Sequence, residues 1–263
     1  MTKKTRVLVH GAMGRMGVAV RDLLIPGKNL ILAGALESPD HPLLGQELTG
    51  GIKLSSDIST MVSLANVAIS FSLPEPTMSL SRACATNRIA CVIGTTGFNN
   101  EQLAEIKSLS EEIPIVIASN FSVTVNLLTL LVREAAKFLK SDYDAEIIEL
   151  HHSQKIDAPS GTALELGKAV AEGREVDFEE VAVRNRDGVT GIRSPGSIGL
   201  QALRGGDVAG EHTVMFAGGG ERLELSHRAS TREHFAKGAI VATEWVIKQK
   251  PGLYDMKQVL GLG

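Results

Sequence analysis

The densest chemistry in the chain lies in one stretch, Glu149-Leu150-His151-His152-Ser153-Gln154-Lys155-Ile156-Asp157-Ala158-Pro159-Ser160-Gly161-Thr162-Ala163. Adjacent histidines can donate, accept or carry a proton near neutral pH. Lys155 adds a fixed cation. Asp157 followed by Pro159 marks a helix start, which puts Ser160, Gly161 and Thr162 in its first turn. Backbone N–H groups and a hydroxyl there can hold a carboxylate. Cation, proton donors and anion cradle together suit a small dianionic substrate. Metal binding or surface exposure is the other reading of the histidine pair. Side chains of adjacent residues on an extended segment point opposite ways, which argues against joint chelation, and no metal is expected. His10, His212 and His227 read as strand histidines with structural roles.

A second constellation is the run His10-Gly11-Ala12-Met13-Gly14-Arg15-Met16-Gly17, which follows an apolar strand and opens a helix. Glycines there let the backbone turn tightly, approach a pyrophosphate and pack helix on strand. The helix N-terminus offers free N–H groups and its dipole. The spacing is Gly-x-x-Gly-x-x-Gly, with Ala12 where the stricter Gly-x-Gly-x-x-Gly pattern has its first glycine. Glu37 lies 20 residues past Gly17, at the end of the second strand, where an acid can accept hydrogen bonds from a ribose. Two further loops follow apolar strands, Gly94-Thr95-Thr96-Gly97-Phe98 and Ser119-Asn120-Phe121-Ser122. Ligands of open α/β sheets bind outside the carboxyl ends of the strands, so these loops face the same crevice; ordinary turn chemistry is the alternative.

The elements that must position these groups alternate in the first half. Strands are expected at 6–10, 30–36, 67–71, 90–93 and 115–118. Helices are expected at 16–24, ended by Pro26-Gly27, and at 76–87 and 100–112. Continuous apolar strands alternating with helices mean βαβ units and a parallel sheet covered on both faces. After about residue 125 the pattern changes. A long helix at 126–139 and a strand at 144–150 lead to the polar loop and a helix at 159–172. Strand-like runs at 197–203, 212–217 and 222–226 follow, separated by glycines. These read as a mixed or antiparallel sheet with a helix. The tail at 231–248 is helical and is expected to return to the first domain. The expected fold is therefore α/β: a Rossmann-like parallel-sheet domain (1–125 with 236–263) plus a smaller α+β domain (126–235).

Composition narrows the function. The chain has 263 residues, 43% hydrophobic and 22% charged, enough for one large or two smaller cores and unlike a disordered chain. A net charge of -3 and ten aromatics (one Trp, two Tyr, seven Phe) argue against a nucleic-acid partner. Two cysteines, Cys84 and Cys91, make neither a disulfide framework nor a zinc motif. The N-terminal segment lacks a signal-like apolar run, and there is no stretch of about 18 apolar residues for a membrane span. A reduced, soluble, cytoplasmic protein is the expectation.

The motifs together resemble one family, 4-hydroxy-tetrahydrodipicolinate reductase (dihydrodipicolinate reductase) of lysine and diaminopimelate synthesis. The resemblance rests on GAMGRMG at 11–17, FSLPE at 71–75, GTTGF at 94–98, SNFSVTVN at 119–126, ELHHSQKIDAPSGTA at 149–163, RGGDVAGEHTV at 204–214 and LSHRASTREHFAKGA at 225–239. These stretches cover the chain from end to end. The resemblance implies an oxidoreductase that reduces the hydroxy-tetrahydrodipicolinate ring with NADH or NADPH. It implies cofactor contacts from Gly11, Ala12, Met13, Gly14, Arg15 and Met16, with Glu37 on the adenosine ribose. Gly94, Thr95, Thr96 and Ser119, Asn120, Phe121 and Ser122 would line the nicotinamide side. His151 would be the proton donor and Lys155 the second catalytic residue. His152, Lys155, Ser160, Gly161 and Thr162 would contact the substrate carboxylates. It also implies a homotetramer built through the second domain's sheet, and closure of the domains during turnover.

Two positions depart from the family pattern: Thr124 stands where glycine is usual, and Ser38 where several members carry an arginine after the acid. With no cation after Glu37, NADH is expected to be preferred or equal, and Arg15 leaves NADPH accessible. Two other functions are weighed. Another Rossmann dehydrogenase of amino-acid metabolism using a covalent thiol would need an activated cysteine, which a helical Cys84 and a strand Cys91 do not offer. A dinucleotide-sensing relative without turnover would not need the His151, Lys155 and Ser160-Gly161-Thr162 set.

Overall fold

Val7, Leu8 and Val9 have no exposed surface, and neither do Val67, Ala68 and Ile69. Runs buried on both faces are what a parallel sheet with helices on either side requires. The computed structural model describes residues 4–24, 29–231 and 233–262. In chain order the first elements are β1 (Thr5–His10), α1 (Arg15–Leu24), β2 (Leu30–Leu36), β3 (Glu47–Leu48), β4 (Ile52–Ser55), α2 (Ile58–Ser63), β5 (Val67–Ser70), α3 (Pro74–Asn87), β6 (Ala90–Ile93), α4 (Asn100–Leu109) and β7 (Pro114–Ile117). Then come α5 (Val123–Leu139), a 3₁₀ turn (Lys140–Asp142), β8 (Asp144–His151), α6 (Gly161–Arg174), α7 (Phe178–Val181) and β9 (Ala182–Val183). The last are β10 (Ile198–Arg204), β11 (Gly210–Ala217), β12 (Arg222–Ala229), α8 (Glu233–Val246), β13 (Gly252–Tyr254) and α9 (Met256–Leu260). Among the described residues no helix is long and apolar enough to cross a membrane.

The chain divides into two units, residues 1–123 with 232–263, and residues 124–231. The first contains a sheet in the order β13-β7-β6-β5-β1-β2-β4-β3. All its pairings are parallel except β3 with β4. The reversal of direction on either side of β1 puts the glycine loop at the switch point where such sheets bind ligands. Helix α8 packs through a row of small residues, Ala236, Gly238, Ala239 and Ala242. A Cβ on Gly238 would stand 1.7 Å from the Phe121 carbonyl oxygen, so glycine is required for the helix to lie there. Strand β13 adds to the sheet edge through β7.

The second unit carries a sheet in the order β12-β11-β8-β10-β9. Strand β8 runs parallel to β10 and antiparallel to β11, so the sheet is mixed. Its core joins Leu128, Val132 and Ala136 of α5 and Leu166 and Val170 of α6 to Ile147, Leu200, Val214 and Phe216 of the strands. On β8 burial alternates strictly, with Ala145, Ile147, Glu149 and His151 facing inward. The inward face therefore turns from apolar to ionisable at the carboxyl end of the strand.

Several expected bounds shift. Helix α3 begins at Pro74, where a proline is suited to the first turn. Helix α5 begins at Val123, three residues earlier than expected, and α6 at Gly161, two residues later. Elements β3, β4, α2, α7, β9, β13 and α9 are too short to leave a periodic signal. The expected helix stop at Pro26-Gly27 lies outside the described residues.

Candidate active site

In the first unit, packing requires two of the three glycines. Gly11 has φ +73°, and a Cβ on it would sit 2.2 Å from the Phe71 carbonyl oxygen. A Cβ on Gly17 would sit 2.0 Å from the Gly11 oxygen. Gly14 is exposed and faces outward. Glu37 reaches back to this loop: its Oε2 accepts from the Met13 N–H at 2.9 Å and its Oε1 from the Ser38 N–H at 3.0 Å. A cavity of about 570 Å³ opens here, lined by His10, Gly11, Gly14, Glu37 and Ser38. Ala12 is buried, and its carbonyl accepts from Arg21 Nε at 2.8 Å, which anchors the loop to α1.

A second cavity of about 250 Å³ is lined by Arg15, Met16, Phe71, Gly94, Ser119 and Phe121. Phe235 also lines it. The Phe71 and Phe121 rings meet edge to face at 5.7 Å. A Cβ on Gly94 would overlap the Phe71 ring at 2.0 Å. Thr95 is buried, and its hydroxyl lies 2.8 Å from that of Thr77. That contact continues through Ser70 to His10 Nδ1, each step 2.9 Å. Burial pushes His10 down to about 4, against the pull of Glu37. Thr96 is exposed. Asn120 Oδ1 accepts from the Ser122 N–H at 2.8 Å, and Ser122 is buried, so this pair shapes the loop. The cradle fits a dinucleotide: an outward-facing glycine, the first-turn N–H groups of α1 and an acid beside a cavity.

In the second unit the carboxyl end of β8 delivers Glu149 and His151 side by side on one face. Glu149 is 1% exposed. Its carboxylate accepts from two Arg204 nitrogens at 3.0 Å each, from the Ser160 N–H at 3.0 Å and from His151 Nδ1. The sheet register sets this cluster, because Arg204 pairs with His151 and His212 with Glu149. Burial would raise the Glu149 carboxyl, but the Arg204, His151 and Ser160 hydrogen bonds outweigh it and the net direction is down. Burial lowers the His151 imidazole, Glu149 opposes this, and Lys155 and Arg204 reinforce it. The His212 ring lies 5.1 Å from that of His151, and burial pushes it down to about 4.

The loop after β8 holds the remaining candidates. Lys155 Nζ donates to Asp157 Oδ1 at 2.8 Å, which draws the Asp157 carboxyl down. The expectation that Asp157 marks the helix start is corrected: Ser160 is the N-cap, its Oγ accepting from the Ala163 N–H at 3.2 Å. The reason is that Lys155 and the loop hold Asp157 outward, while Ser160 is buried beside His212 at 3.2 Å. Gly161 is exposed, and a Cβ there would meet nothing within 4 Å. Thr162 is half-buried. His152 is half-buried too, and its backbone N–H bonds Val208 on the far side of the loop.

Sequence reasoning passed over Glu149, Arg204 and His212 as functional groups. Glu149 was accessible, since alternation puts residue 149 on the face of residue 151. Arg204 and His212 depend on strand register, which leaves no local signal. Phe71 and Phe235 were also missed. Cys84 and Cys91 are fully buried, and the hydrogen bond to Cys91, then burial, push the Cys84 thiol up, away from thiolate chemistry.

The chain matches two family profiles, "Dihydrodipicolinate reductase, N-terminus" over residues 5–121 and "Dihydrodipicolinate reductase, C-terminus" over residues 124–260. It is 46% identical to the 4-hydroxy-tetrahydrodipicolinate reductase of Geotalea daltonii, covering 98% of this chain and 99% of that protein. It is also 46% identical to the protein of that name from Thiobacillus denitrificans, covering 98% of each. Among solved structures, a dipicolinate-bound dihydrodipicolinate reductase from Paenisporosarcina sp. TG-14 superposes with a TM-score of 0.76 at 24% identity, covering 96% of this chain and 98% of that one. A probable dehydrogenase from Thermotoga maritima superposes with a TM-score of 0.63 at 10% identity, over 97% and 92%.

Proposed function

The chain belongs to the dihydrodipicolinate reductase family, and on that premise we propose that it reduces the 4-hydroxy-tetrahydrodipicolinate ring to tetrahydrodipicolinate in lysine and diaminopimelate synthesis. The observation that carries this reading is the placement of His151 at the end of β8 and of Lys155 in the loop that follows, whose continuation is the Ser160-capped start of α6. A bound nicotinamide cofactor supplies the hydride. The residues of the second unit do the rest. Lys155 and the first turn of α6, with Gly161 and Thr162, hold the two ring carboxylates, and His152 contributes a polar contact. His151 carries a proton on Nε2 and releases it to the ring as electron density builds there.

The glycine loop and Glu37 hold the adenosine half of the cofactor, with NADH preferred or used equally with NADPH. Arg15, Met16, Gly94, Ser119 and Phe121 line the nicotinamide side. The domain roles follow: residues 1–125 with 236–263 bind the dinucleotide, and residues 126–235 bind substrate. The second unit's sheet also builds a homotetramer, supported by Leu203 and Leu223, which stand 51% and 41% exposed on its strands. The enzyme works in the cytoplasm.

Replacing Lys155 by alanine tests the division of labour. The variant is expected to lose affinity for pyridine-2,6-dicarboxylate by about tenfold or more, the value of a charge-assisted contact. NADH binding, read by fluorescence, should be unchanged. Equal dicarboxylate affinity in variant and wild type would remove Lys155 from the site.

A further inference from the structure

We propose that Glu149 is the positioning residue for His151, and that Arg204 holds Glu149 as an anion so that it orients the imidazole without taking its proton. This rests on the reading of His151 as the proton donor. The geometry is specific. A carboxylate 1% exposed is costly to bury unless its lone pairs are matched. Here four donors meet it: two nitrogens of Arg204, the Ser160 N–H and His151 Nδ1. Arg204 also donates to the Asp157 carbonyl oxygen at 2.6 Å, so the clamp ties the end of β10 to the loop that carries Lys155.

A carboxylate that accepts from Nδ1 fixes one tautomer, with the exchangeable position at Nε2. Gly210 lies against the other side of the ring. A Cβ on it would stand 3.0 Å from His151 Nε2 and 3.3 Å from Cδ2, so a side chain there would crowd the Nε2 edge that glycine leaves room for. The groups facing His151 are Glu149 on its own strand, Arg204 from β10, His212 from β11 with His227 at 6.5 Å beyond it, and Lys155 with Asp157 in the loop. Ser160 Oγ accepts from the Ala163 N–H and lies 3.2 Å from His212 Nε2, and burial keeps that ring neutral. Burial, then Lys155 and Arg204, disfavour an imidazolium, and Glu149 is the group that favours it. In the transfer the Nε2–H bond breaks, the proton joins the ring substrate, and Nδ1 keeps its hydrogen on Glu149.

The test combines kinetics with a direct reading of the tautomer. In wild type, kcat at saturating substrate and NADH should fall as pH rises through the donor's pKa. Glu149→Gln should lower kcat at pH 7.5 by about 10–100-fold, the usual effect of losing such an outer partner. It should also move the alkaline limb at least one pH unit lower while NADH affinity stays unchanged, and Glu149→Asp should recover part of both effects. A lowered kcat with the limb unmoved would mean a merely structural role and overturn the proposal. His151→Gln separates the two claims. If it abolishes the limb while Glu149→Gln keeps the wild-type profile, the donor stands and the positioning role falls. If it keeps wild-type kcat and limb, the donor assignment itself falls. Should Glu149→Gln not fold, nitrogen-15 imidazole shifts of the wild-type protein, assigned with His151→Gln, decide: Nδ1–H for neutral His151 supports the proposal and Nε2–H overturns it.

Discussion

On the proposed reading, cofactor choice turns on Glu37. Its carboxylate is tied to the Met13 and Ser38 N–H groups and still lines the cavity beside Gly11 and Gly14. An acid placed there accepts ribose hydroxyls and repels a 2′-phosphate. The next residues, Ser38, Pro39, Asp40 and His41, supply no fixed cation. Ser38→Arg is expected to shift the ratio of kcat/KM values toward NADPH by roughly tenfold, about what an exposed charge-assisted contact contributes. Steady-state kinetics with both cofactors check it. A wild-type kcat/KM clearly higher for NADPH would show that Arg15 outweighs Glu37. At this scale the sequence was informative where chemistry is local, as in Glu37 and the glycine spacing. It was silent on Arg204, because only the pairing of β8 with β10 brings residue 204 to residue 149.

The start of α6 divides two duties that the sequence merges. Ser160 is buried, caps Ala163 and meets His212, so it holds the helix in place. Thr162 sits in the first turn beside an open Gly161. Ser160→Ala is therefore expected to cost about 1 kcal/mol of stability through loss of the cap. Thr162→Val keeps the shape and should raise the substrate KM with a near-normal melting temperature. Thermal melts and kinetics on both variants separate the roles, and a sharp fall in melting temperature for Thr162→Val would make it structural. The helix itself was legible from its Asp157-to-Pro159 start signal, but its first residue was not. Asp157 and Ser160 are both good caps by type, and the choice between them was made by Lys155, which pairs with Asp157, and by burial of Ser160.

Over the whole molecule, two buried histidines make stability depend on pH. His10 and His212 are each pushed by burial to about 4, while an unfolded chain titrates near 6.5. The folded state keeps both neutral, so their contribution is complete above pH 6.5. It is lost as pH falls from 6.5 to about 4, by up to about 3–4 kcal/mol each, since one pH unit of depression corresponds to about 1.4 kcal/mol. Urea midpoints between pH 7.5 and 4 should fall accordingly, and His212→Gln should flatten the slope; an equal slope in variant and wild type would contradict this. The division of the chain into an α/β unit and a mixed-sheet unit was readable from the change of pattern after residue 125. The order of the eight strands was not, because β3, β4 and β13 are two to four residues long and join through pairings remote in sequence.

The central claim is that this chain reduces the hydroxy-tetrahydrodipicolinate ring. Oxidation of NADH followed by absorbance, with the ring made in the same cuvette by a dihydrodipicolinate synthase, tests it most directly. The expected result is NADH loss that requires both the synthase and this protein and is abolished by His151→Gln. NADH binding with no oxidation above the synthase-only rate, for either NADH or NADPH, would contradict it and favour a dinucleotide-binding protein without turnover.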